Sequence, residues 1–71
     1  MLNMKLIDRE WNPYLNAYQN MWLADDESGI TPSFDPDGAE GSVIVVISTQ
    51  ATWMKNSEGK WQKCGTTEVI E

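Results

Sequence analysis

The chain has 71 residues, eleven acidic against five basic, a net charge of −6, one cysteine and no histidine. That length allows a single small domain, and without imidazole neither Ser-His-Asp nor Cys-His catalysis can be assembled within one chain. The acidic balance opposes binding through nucleic-acid phosphates or docking on anionic membranes, so neither partner is expected.

The lone Cys64 cannot close an intramolecular disulfide, which suits a reducing compartment. Without histidine the commonest metal ligand is missing. The expectation is a protein that is not an enzyme and carries no cofactor and no metal.

The first zone, residues 1–24, opens "MLNMKLIDREW", which reaches Asp8 too soon for the apolar core of a secretory signal. In "WNPYLNAYQNMWLADD", Asn12 is a good helix N-cap and Pro13 suits the first helical position. Tyr14, Leu15, Tyr18, Met21 and Trp22 then recur at helical spacing and define one face. Asn12, Asn16, Gln19 and Asn20 define the other. The pattern predicts a helix from about Pro13 to Leu23 with its aromatic face buried. Asp25, Asp26 and Glu27 oppose the macrodipole at its end, with Gly29 just beyond.

The second zone, residues 25–42, holds two prolines, three glycines and six acids, a composition of turns and extended segments. Ile30 and Phe34 are its only large apolar anchors, too few to cover a sheet face well. The zone reads as an acidic arm lying on something else, or as a linker. Asp35, Asp37 and Glu40 suggest a calcium loop, but the spacing lacks the ligand positions of an EF-hand and Pro36 stiffens the middle, so a solvated turn is preferred. "GAEG" lacks the Lys-Ser/Thr of a phosphate loop.

The third zone, residues 43–71, begins with Val43 to Ile47, five consecutive β-branched residues. They form a strand apolar on both faces, which needs cover on both. The run is far short of the roughly 20 residues of a membrane-spanning helix. "KNSEGK" then signals a hairpin, with Gly59 at the left-handed position of the turn. In that register Asn56 faces Lys60, Lys55 faces Trp61 and Trp53 faces Lys63, so each lysine can lie over an indole with its head in water. Thr52, Met54, Gln62 and Cys64 take the opposite face. Cys64 has no base to activate it and reads as a small apolar residue at a strand end.

Gly41-Ser42, Val43 to Ile47, Ser48-Thr49, Trp53, Asn56, Gly59 and Trp61 together resemble a pattern in small virion-associated proteins of tailed bacteriophages. Trp53 departs from that pattern, where Tyr is commoner, and the N-terminal zone is not covered by it. The resemblance implies a structural role in the particle, as head decoration, head fibre or head–tail accessory. It implies capsid or portal and neck proteins as partners, a location in the virion after assembly in the host cytoplasm, and no catalytic residues.

The fold expected is α+β or mainly β, with a short N-terminal helix, an acidic extended arm and a C-terminal antiparallel hairpin or three-stranded sheet. Ile30, Phe34, Trp53, Lys55, Trp61 and Lys63 are the candidate contact residues. Because one short helix cannot cover both faces of the Val43–Ile47 strand, a homo-oligomer or a place in a larger assembly is expected. The rival reading is an acidic inhibitor of a host protein, acting as a DNA mimic.

Overall fold

In the computed structural model, which describes residues 4–70, six strands form one mixed sheet in sequence order. They are β1 (Met4–Asn12), β2 (Ala17–Ala24), β3 (Val43–Val46), β4 (Thr52–Lys55), β5 (Trp61–Lys63) and β6 (Val69–Ile70). There is no α-helix among the described residues; a single 3-10 turn spans Glu27–Gly29. The mainly-β expectation therefore holds, and the N-terminal helix is corrected to a β-hairpin.

The reason lies in the turn. The Asn12 side chain accepts hydrogen bonds from the amides of Tyr14 at 2.9 Å and Leu15 at 3.2 Å, as a helix N-cap would. An Asx turn uses the same bonds and the same Asn-Pro pair. Here Asn16 takes φ 51 and reverses the chain, so Asn12 pairs with Ala17 across a four-residue loop. Beyond it the side chains alternate: Tyr18, Asn20, Trp22 and Ala24 share one face and Gln19, Met21 and Leu23 the other. Tyr14, placed by the helical reading in the buried face, is 96% exposed, whereas Asn20, assigned to solvent, is buried. A bulge at Ile7 shifts the β1–β2 register between Leu6 and Asp8.

β2 and β3 run parallel, with Met21 opposite Val43 and Ala24 opposite Val46. A parallel pair needs a crossover of about a dozen residues or more. Residues 25–42 supply it without a helix, so the arm is the crossover and lies against the sheet. Near its end Ala39 N–H donates to Tyr18 O at 2.8 Å, which joins the arm to β2 just ahead of β3.

The core sits between the arm and this face of the sheet. Ala24, Ile30, Ile44, Val46, Trp53 and Trp61 are buried, with Met4, Trp22, Phe34, Ala51 and Ile70 packed around them. The arm covers the face better than its two apolar anchors suggested, because Trp53 and Trp61 bring most of the volume from the sheet side. Phe34 needs only to meet Trp22 edge-on at 4.9 Å and to stand 6.0 Å from Trp61. The second apolar face of β3 has no such cover among the described residues: Val43 and Val45 are half-buried and Ile47 is 54% exposed.

Candidate interaction surfaces

The six residues nominated by the sequence do converge, but inside one chain. The β4–β5 hairpin has the register its turn implies, with Lys55 opposite Trp61 and Trp53 opposite Lys63. Gly59 adopts φ 79, and the Asn56 side chain accepts from the amides of Glu58 and Lys60. Lys55 stands 5.4 Å over the Trp61 ring and Lys63 5.9 Å over the Trp53 ring. The arm closes over this ladder. Ile30, Trp53, Lys55 and Trp61 are buried and Phe34 is partly so, leaving Lys63 with a side chain 29% exposed.

The two buried indoles, Trp53 and Trp61, and the half-buried Trp22 each donate an N–H to the arm. Trp22 Nε1 donates to Asp35 Oδ2 at 3.1 Å, Trp53 Nε1 to Glu27 Oε2 at 2.7 Å, and Trp61 Nε1 to Phe34 O at 3.0 Å. Lys55 Nζ, placed in water by the sequence reading, donates instead to Asp35 O at 2.6 Å and Gly38 O at 3.1 Å. Asn20 Nδ2 donates to both Asp35 oxygens, while Asn20 Oδ1 is buried without a partner among the described residues. Lys63 Nζ lies 3.9 Å from Glu27 Oε2.

These contacts account for two of the six acids of the arm, Glu27 and Asp35. A buried indole N–H or ammonium needs an acceptor, and the arm supplies two carboxylates and three carbonyls. Asp35, at φ 54, is held in the left-handed region that Asp tolerates better than most residues. The acids considered as a calcium loop do not converge, since no group of three or more metal-ligating side chains occurs among the described residues.

Two surfaces remain open. The first is the tip of the β1–β2 hairpin. Trp11 and Tyr18 meet edge-to-face at 5.0 Å, and Arg9 stacks its guanidinium 4.0 Å above the Tyr18 ring. No carboxylate among the described residues lies within ion-pair distance of Arg9. Trp11, Leu15 and Tyr18 are each about four-tenths exposed or more, and Tyr14 is almost fully so. Sequence reasoning missed this cluster because it placed Tyr14 and Tyr18 on a buried helical face. Alternation through Trp11, Tyr18, Asn20 and Trp22 was the signal that could have found it.

The second is the sheet face away from the arm, called here the outer face. Two cross-strand rows run over it. One is Asp8–Met21–Val43–Met54–Gln62–Val69 and the other Lys5–Leu23–Val45–Thr52. Met21 is 38% and Met54 43% exposed, with Leu23, Val43 and Val45 half-buried between them. The exposed Cys64 lies beyond the end of β5, without a histidine anywhere in the chain. No helix among the described residues is long and apolar enough to cross a membrane.

The chain matches no protein family, no curated protein and no solved structure.

Proposed function

We propose that the protein is a non-enzymatic structural component of a tailed-phage particle that binds capsid or portal and neck proteins through the tip of its β1–β2 hairpin. The observation that carries this reading is the exposed Trp11–Tyr18 pair with Arg9 stacked on it. Tryptophan, tyrosine and arginine dominate the energetics of protein interfaces, and a guanidinium held over a ring keeps its fork of donors ready for a partner carboxylate. The resemblance of residues 41–61 to small virion-associated proteins supplies the setting. The residues that the sequence nominated for contact serve on this reading to hold the arm, and the hairpin tip takes their place.

The rival reading, an acidic inhibitor mimicking DNA, has less support. Such a mimic displays its carboxylates in a row to solvent, whereas Glu27 and Asp35 accept hydrogen bonds from core indoles. The test is mass spectrometry of purified particles produced with the wild-type chain and with Trp11→Ala. The wild-type chain is expected in the particle at a fixed ratio to the major capsid protein, and Trp11→Ala is expected to be depleted although it folds. Particles lacking the wild-type chain would overturn the proposal.

A further inference from the structure

The two edges of the sheet are poorly suited to strand addition. β1 is long, but it is bulged at Ile7 and carries Lys5, Asp8, Arg9 and Glu10, and β6 has two residues. Bulges, charges and short strands are the devices by which native sheets blunt their edges. The outer face is different. A solvated face of a sheet is normally polar, yet its centre here is Met21, Leu23, Val43, Val45 and Met54, with exposed Ile47 just beyond the end of β3.

The charges on this face have an order. On β1, Lys5 stands beside Leu23 at the end of one row, and Asp8 stands beside Met21 at the end of the neighbouring row, with Glu10 one pair beyond. We propose that two copies of the chain pack outer face to outer face, about a two-fold axis that lies in the interface, perpendicular to the strands and midway between these rows. That operation exchanges the rows. Met21 of one copy then lies over Leu23 of the other, Val43 over Val45, and Met54 over Thr52. It also brings Lys5 of each copy to the Asp8 and Glu10 end of its partner, twice by symmetry. Other face-to-face arrangements lose this match: an axis along the strands would place β1 over β6, whose outer-face residue is Val69. The result is a four-layer molecule, arm–sheet–sheet–arm, with sheets stacked about 10 Å apart and aligned within about 30°. An isologous contact of this kind closes at two copies. It leaves the hairpin tip outside the interface, so it stands whether or not the protein belongs to a phage particle.

The test is sedimentation equilibrium of the full chain from micromolar to millimolar concentration. The wild type is expected to dimerise. Val45→Lys is expected to be monomeric with an unchanged far-ultraviolet spectrum, since Val45 faces away from the core. Lys5→Glu and Asp8→Lys, both at exposed positions, should each weaken the dimer about tenfold by placing like charges together twice. The double variant Lys5→Glu/Asp8→Lys, which restores opposite signs across the axis, should recover wild-type affinity. A wild type monomeric throughout, or a dimer that withstands Val45→Lys and dissociates with Trp11→Ala, would overturn the proposal. So would a double variant no tighter than either single one.

Discussion

Trp22 and Asp35 are joined by an indole-to-carboxylate hydrogen bond of 3.1 Å, and through it the second strand holds the acidic arm. The same carboxylate accepts from the Asn20 amide, while the Asp35 carbonyl accepts from Lys55. One residue of the arm thus gathers donors from β2 and β4, two strands that are not neighbours in the sheet.

Removing that carboxylate should loosen the whole cover. Asp35→Ala leaves the Trp22 and Asn20 donors without their acceptor and places alanine at φ 54. A loss of about 2–4 kcal/mol is expected, from unsatisfied donors and backbone strain together. Asp35→Asn keeps an acceptor and tolerates the backbone, so it should lose less than half as much. Urea unfolding of both variants separates the two contributions, and equal losses would contradict this role for the carboxylate.

Gly38 should accept no side chain. A Cβ there would stand 2.2 Å from Asp35 Oδ2 and 2.8 Å from Ser42 Oγ. Ser42 is fully buried and donates to Ala39 O at 2.7 Å, so it has little room to yield. Gly38→Ala is expected to destabilise by about 1–3 kcal/mol, as overpacked sites do. A melting temperature equal to the wild type would show that the arm does not approach β2 as described.

At Gly59 the cost is conformational alone. An added Cβ would meet nothing within 4 Å, but φ is 79. Gly59→Val should lose more than about 1 kcal/mol, and Gly59→Asn markedly less, because Asn visits the left-handed region readily. Equal stability of the two in thermal melting would remove the turn assignment.

Tyr14 distinguishes the N-terminal hairpin from the helix that the sequence suggested, and Trp61 reports on the core beneath the arm. Tyr14→Ala should change stability by less than about 0.5 kcal/mol, as exposed substitutions do. Trp61→Ala should lose about 3–5 kcal/mol, since that indole is fully buried. A large loss from Tyr14→Ala would restore the buried-face reading.

The β4–β5 hairpin was legible because its turn chemistry is local: Asn56 and Gly59 each require the conformation they adopt. The N-terminal hairpin was not, because Asn12-Pro13 begins a helix and an Asx turn with the same hydrogen bonds. What decides between them is Asn16, four residues on, together with the pairing of Trp11 with Tyr18 and Leu6 with Trp22 across strands. The parallel ladder between β2 and β3 has no local signal at all; it depends on where the arm ends. The six nominated contact residues do meet in space. Their inward orientation was hidden because nothing in the alternation of β4 and β5 says which face the arm will choose, although the demand of each indole for an acceptor and the surplus of acids in the arm are complementary.

The parallel pairing of β2 with β3 also sets the order in which the chain can fold. β1–β2 and β3–β6 are each built from neighbouring antiparallel strands and can form early, on the microsecond scale of hairpins. Joining them requires closure of residues 25–42, whose entropy must be lost before Met21 meets Val43 or Phe34 reaches Trp61. Closure of the arm with formation of the β2–β3 ladder is therefore the step expected to limit the folding rate. Substitutions in the arm and along the β2–β3 ladder should slow folding, whereas those at the Asn56–Gly59 turn should change how often a competent piece is present to dock.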